Sequence, residues 1–99
     1  MNKICILIPI YNHGKTLDSL LSKLNKFNLD CILIDDGSDI ETKNFINKVK
    51  NKFPKIIELI SLEKNKGKGI AIISGMKKAK SLNYTHVLQI DADGQHDVN

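Results

Sequence analysis

Two pairs of aspartates carry the chemistry this chain could do. Asp91 and Asp93 stand one residue apart in Gln89-Ile90-Asp91-Ala92-Asp93-Gly94-Gln95-His96, directly after the apolar Val87-Leu88. Asp35 and Asp36 follow the apolar run Cys31-Ile32-Leu33-Ile34 and open a polar loop, Asp35-Asp36-Gly37-Ser38-Asp39. Carboxylates this close repel each other unless a cation or hydrogen-bond donors lie between them. Hard oxygen ligands suit Mg²⁺ or Mn²⁺, so the Asp91/Asp93 pair leans towards a metal. Each motif also has a plainer reading. Asp-Asp-Gly-Ser serves equally as a turn with a helix N-cap, and Asp-Ala-Asp-Gly as a turn. Asn65-Lys66-Gly67-Lys68-Gly69 is a loop, and its Gly67-Lys68-Gly69 is either a flexible loop end or brings backbone N–H groups and Lys68 to a phosphate.

The elements that must position these groups are legible from hydrophobic periodicity. Lys3 to Ile10 is nearly all apolar and β-branched, which predicts a strand buried on both faces, and so a parallel sheet covered by helices. Tyr11-Asn12-His13-Gly14 is a turn. Leu17, Leu20, Leu21 and Leu24 then form one face of an amphipathic helix. Cys31–Ile34 is the second strand. Ile46, Val49 and Phe53 mark the inner face of a second helix, which Pro54 stops. Ile56 to Leu62 is a third strand, interrupted by Glu58. Ile70 to about Leu82 is a third helix with Ala71, Gly75 and Ala79 as its close-packing residues, and Tyr84 to Ile90 is the fourth strand.

The order β-α-β-α-β-α-β with short connections predicts a Rossmann-like, doubly wound, mostly parallel α/β domain with right-handed crossovers. In such sheets ligands bind beyond the carboxyl ends of the strands. The first strand delivers Pro9, Tyr11 and Asn12 there, the second Asp35 and Asp36, the fourth Asp91 and Asp93. These residues are therefore expected on one edge. His13 and His96 are expected at the surface or behind the ligands, His86 as a structural histidine, and Met76 and the aromatics as packing.

Bulk properties narrow the class. Ninety-nine residues with 41% hydrophobic and 26% charged content suit one small soluble domain. No apolar run approaches the ~20 residues that span a bilayer. Cys5 and Cys31 lie in separate apolar runs outside any metal-binding pattern, and so are expected as buried reduced thiols in a cytoplasmic setting. The net charge is +4 and all 15 basic residues are lysine, which favours an anionic partner. Nucleic acid is disfavoured: there is no arginine for bidentate contacts, and only two tyrosines and three phenylalanines for stacking. A dinucleotide fingerprint is missing after the first strand, and no G-x-x-x-x-G-K-[ST] occurs.

Taken together, Ile8-Pro9-Ile10-Tyr11-Asn12, Ile34-Asp35-Asp36-Gly37-Ser38, Asn65-Lys66-Gly67-Lys68-Gly69 and Gln89-Ile90-Asp91-Ala92-Asp93-Gly94-Gln95-His96 resemble the N-terminal half of a family 2 glycosyltransferase of the GT-A fold. The Asp-Ala-Asp-Gly-Gln-His form is similar to the branch of dolichyl- and polyprenyl-phosphate mannosyl- and glucosyltransferases. The resemblance implies that Pro9, Tyr11 and Asn12 line a nucleotide pocket. It implies that Asp36 hydrogen-bonds the base with Asp35 in support, and that Lys68 approaches the base or diphosphate. It makes Asp91 and Asp93 the DXD element, with Asp93 on the metal, Asp91 on the ribose or the same metal, and Gln95 also reaching the metal. The implied cofactor is Mg²⁺ or Mn²⁺.

The implied reaction is inverting transfer from a UDP- or GDP-sugar to a polyprenyl-phosphate or glycan acceptor. The implied place is the cytoplasm, peripherally at the inner face of the membrane. In the family, acceptor-binding groups and any catalytic base lie downstream of the DXD motif. Residues 1–99 are thus expected to be one partial domain, the donor-binding part, with a core edge exposed for association. The alternative is a non-catalytic nucleotide-binding or interaction module, or one half of a split enzyme. A nucleotidyltransferase is disfavoured, because Tyr11-Asn12-His13-Gly14 is a poor match to the glycine-rich basic loop expected there.

Overall fold

The structure, a computed structural model, describes residues 2–12 and 16–91. The elements are β1 (Ile4–Ile10), α1 (Leu17–Asn25), β2 (Asp30–Asp36), α2 (Ile40–Lys52), β3 (Ile56–Leu62), α3 (Lys68–Ser81) and β4 (His86–Gln89). The four strands form one sheet in the order β3-β2-β1-β4, and every pairing is parallel. This is the predicted doubly wound α/β architecture.

Alternation along the two central strands decides which helix covers which face. Ile6, Ile8 and Ile10 of β1, with Cys31 and Leu33 of β2, face the leucines of α1 and Ile46 and Val49 of α2. Cys5 and Leu7, with Ile32 and Ile34, face Ala71 and Ala79 of α3. Both faces are therefore covered, which is why β1 and β2 read as continuous apolar runs. Helix α3 lies close to the sheet because its inner residues are small. A Cβ on Gly75 would stand 2.9 Å from Ile34 Cδ1, too near for an unshifted side chain.

The pairing of Ile6 with Cys31 puts Cys5 and Cys31 on opposite faces, so they cannot cross-link. Burial pushes the Cys5 thiol up to about 12 and the Cys31 thiol up to about 11. An unfolded thiol ionises from about pH 8.5. The folded state holds both thiols protonated, so their contribution to stability is full below that pH and is lost as pH rises towards the folded values. The expected result is a urea midpoint that falls between pH 8 and pH 10, with a shallower fall in a Cys5→Ala/Cys31→Ala double variant. Equal slopes would contradict the assignment.

Several boundaries differ from expectation, each for a local reason. Strand β2 runs through Asp35 and Asp36, which are buried instead of opening a polar loop, because their carboxylates find donors inside the protein. Helix α3 starts at Lys68, two residues early, since Gly67 at φ +98 makes the entry turn by itself. Strand β4 is shorter than Tyr84–Ile90 because Tyr84 turns aside. Its phenol donates to Asp30 at the same amino end of the sheet, and Lys3 Nζ lies 4.4 Å from its ring centroid. His86 opens β4 as an exposed histidine whose Nδ1 lies 2.8 Å from Thr85 Oγ1. Met76 and Phe27, expected in the packing, are 47% and 63% exposed.

Met76 belongs to an outer apolar stripe on α3 with Ile70 and Ile73. The stripe borders a groove of about 400 Å³ that Ile73, Met76, Tyr84 and Val87 line beside β4. Among the described residues no strand pairs with the outer edge of β4. No helix of the described residues is long and apolar enough to cross a membrane.

Candidate functional site

In the strand order β3-β2-β1-β4 the chain winds outward from β1 to β3 and then crosses back to β4. The crevice between the carboxyl ends of β1 and β4 is therefore the topological switch point, the usual ligand position in open α/β sheets. Pro9 helps to open it. Ile90 N still donates to Leu7 O at 3.0 Å. Pro9, next in line on that side of β1, has no N–H to continue the ladder. The β1–β4 register accordingly ends at Leu7 and Gln89, and the chain is free to diverge at Asp91.

On the β2 side the turn after β1 is fastened to the turn after β2. Asn12, at φ +55, donates its backbone N–H to Ser38 Oγ (2.9 Å), and its Oδ1 accepts from Asp39 N (2.9 Å). An asparagine tolerates that left-handed conformation better than most residues. Asp39 caps α2 by accepting from Thr42 N at 2.8 Å, and this bond holds its carboxyl below the ordinary range. Tyr11 stands at the mouth with its ring half-exposed.

Asp35 and Asp36 are 1% and 3% exposed, so neither carboxylate survives there without partners. Asp35 Oδ1 accepts from Ser38 N at 2.9 Å, and its Oδ2 pairs with Lys43 Nζ at 2.6 Å. Asp36 Oδ1 accepts from Lys66 N at 2.8 Å, and Oδ2 from Gly67 N at 3.0 Å and Asn65 Nδ2 at 2.9 Å. The acidic pair thus splits its work. Asp35 holds α2, and Asp36 holds the loop that enters α3. Of the Gly67–Gly69 backbone N–H groups expected at a phosphate, that of Gly67 is taken by Asp36, as is the N–H of Lys66.

On the other side of the crevice Lys68, the first residue of α3, reaches Asp91. Nζ and Oδ1 are 2.6 Å apart, and Gln89 Nε2 donates to the same oxygen at 3.0 Å. The Lys68 side chain is about half exposed and that of Asp91 is 16% exposed, so both remain accessible at the rim. Pro9, Tyr11, Asn12, Asp35, Asp36, Lys68 and Asp91 therefore occupy one edge of the sheet, as the strand-end argument predicts. Asp93, Gln95, His96 and His13 lie outside the described residues.

A divalent cation fits this edge in kind. Asp91 offers a carboxylate oxygen at the rim, already used to a positive partner in Lys68 Nζ. Among the described residues no group of three or more His, Cys, Asp or Glu could hold a metal alone, so a cation here would need oxygens from the ligand or from residues 92–99. Lys43 and Asn65 were not foreseen as site residues. Asn65 lies in the Asn-Lys-Gly-Lys-Gly motif, which is a usable signal. Lys43 has none, because its partner Asp35 meets it only after α2 folds back.

The family described as Glycosyl transferase family 2 matches residues 5–99. A UDP-N-acetylglucosamine–dolichyl-phosphate N-acetylglucosaminyltransferase of Methanococcus voltae is 37% identical over 106 residues, covering 94% of this chain and 42% of its own length. A dolichol-phosphate mannosyltransferase of Pyrococcus furiosus is 30% identical, covering 95% of this chain and 26% of its own. An uncharacterised protein of Methanocaldococcus jannaschii is 38% identical, and the match covers 40% of it. The chain thus spans well under half the length of these relatives. A mannosyltransferase from Pyrobaculum calidifontis, solved in complex with GDP-Man and Mn²⁺, superposes with a TM-score of 0.74 at 18% identity, over 92% of this chain and 27% of that one. That likeness is one of fold.

Proposed function

Because the chain belongs to glycosyl transferase family 2, we propose that it forms the donor-binding part of a transferase that moves a sugar from a UDP- or GDP-linked donor to a lipid-phosphate or glycan acceptor. The observation that carries this reading is the Lys68–Asp91 pair at the β1/β4 switch point, a cation and a carboxylate held together where a diphosphate would lie. Tyr11 and Asn12 line the nucleoside end. Lys68 meets the diphosphate. Asp91, with Asp93 and Gln95, holds Mg²⁺ or Mn²⁺. The metal's contribution is to neutralise the charge that builds on the leaving diphosphate, in a transfer that inverts the sugar carbon.

The names of the curated relatives, which include two dolichyl-phosphate transferases, favour a lipid-phosphate acceptor over a glycan. We place the polypeptide that binds the acceptor, on this chain or another, against the open β4 edge and its apolar groove. A contact there would cover Ile73 and Met76, each about half exposed.

Saturation-transfer NMR with a panel of UDP- and GDP-sugars tests the donor reading. Base and ribose protons of at least one donor should receive saturation from the protein, more strongly than its sugar protons. Equal, weak transfer to all donors would contradict it.

A further inference from the structure

We propose that Asp36 is a positioning residue: by anchoring the 65–67 loop it holds Lys68 at Asp91, and so sets the diphosphate end of the site from the nucleoside end. This rests on the sugar-nucleotide reading above and goes beyond it. A carboxylate at the end of β2 that served the base alone would point into the crevice with an oxygen open. Asp36 is instead 3% exposed, and both its oxygens accept from the loop, through Lys66 N, Gly67 N and Asn65 Nδ2. Asn65 Nδ2 also lies 3.3 Å from the Asp36 carbonyl oxygen, so one side chain grips both the backbone and the carboxylate.

The loop is seated hard against the same turn. A Cβ on Gly37 would fall 2.3 Å from Asn65 N, so only glycine leaves room for the loop backbone to lie there. Gly67 is the residue before Lys68, and its carbonyl accepts the first intrahelical bond of α3, from Ala71 N at 3.1 Å. Fixing Gly67 N therefore fixes the first turn of α3, from which Lys68 reaches Asp91. Asp35 cannot take over, since its oxygens are engaged by Ser38 and Lys43.

A role on the base and a role on the loop differ for a ligand that has no base. The test uses the full chain and inorganic diphosphate with Mg²⁺, read by calorimetry, together with amide exchange at Lys66 and Gly67. In Asp36→Asn one oxygen becomes an NH₂ that faces N–H donors. Exchange at Lys66 and Gly67 should quicken by at least ~10-fold, as a local opening. Diphosphate affinity should fall ~10-fold, and by much less when Lys68→Ala is already present, the mark of coupled residues. Asn65→Ala leaves the Asp36 carboxylate intact and changes only an exposed residue, so it keeps the test open if Asp36→Asn does not fold. It should shift both readouts in the same direction by a smaller factor.

Unchanged exchange in these variants overturns the anchor. Faster exchange with wild-type diphosphate affinity overturns the positioning role and leaves Asp36 to the base. Failure of the wild-type chain to bind diphosphate or any nucleotide sinks the donor reading and this role with it. That outcome is distinct from a wild type that binds and variants that bind equally well.

Discussion

Gly37→Ala is expected to destabilise the fold by about 3 kcal/mol and to abolish nucleotide binding. Gly37 sits at φ +74, where any L side chain is strained. The added Cβ would also lie 2.3 Å from Asn65 N and from Lys64 C, backbone atoms that cannot rotate away. The loop must move by more than 1 Å to restore ~3.4 Å of clearance, and contacts of this kind are tight in packed interiors. Moving it breaks the hydrogen bonds to Asp36 and shifts the origin of α3. A domain with a total stability of about 5–15 kcal/mol tolerates that loss only in part. Urea unfolding followed by circular dichroism measures the first effect, and calorimetry the second. A variant with wild-type midpoint and affinity would show that the turn adapts, and would remove the geometric basis for calling this loop fixed.

Asp91→Asn should produce the opposite profile, a large functional loss with little loss of stability. Its ion pair with Lys68 lies at the rim, with the lysine side chain about half exposed, and such pairs contribute about 0–1 kcal/mol. The amide keeps the size of the side chain but loses the charge. Metal-dependent nucleotide affinity should fall ~100-fold, equivalent to about 2.7 kcal/mol at the site. Lys68→Ala should fall less, since an ammonium can be partly replaced by the metal whereas the carboxylate cannot. If Asp91→Asn binds metal and nucleotide like the wild type, Asp91 is no ligand and the pair with Lys68 is only structural.

Much of this arrangement is legible in the sequence, for physical reasons that differ by element. The apolar runs at Ile4–Ile10 and Cys31–Ile34 announce doubly covered strands because both faces must be dry. The four-leucine face of α1 announces its helix because 3.6 periodicity is unambiguous there. From those two facts follows the convergence of Asn12, Asp35, Asp36 and Asp91 at one edge. The direction in which each carboxylate is used is another matter. Nothing local distinguishes an aspartate that faces a ligand from one that accepts from a loop some 30 positions later, as Asp36 does. The inner face of α3 is legible in its small residues, since Ala71, Gly75 and Ala79 are the ones it buries. Met76 reads as packing, but the sheet is so close that small residues, Ala71, Gly75 and Ala79, are what fit beneath the helix. The large apolar residues are displaced to the outside, where they become an open surface.

The claim at the centre of this account is that the β1/β4 crevice takes a nucleoside diphosphate with a divalent cation. The most direct measurement is calorimetric titration of the chain with UDP and with GDP, each in Mn²⁺, in Mg²⁺ and in chelator. The account predicts saturable binding of one nucleotide in the presence of metal, at least ~10-fold tighter than in chelator, the loss expected when a charge-bridging ion is removed. No binding of either nucleotide, or equal binding with and without metal, would contradict it.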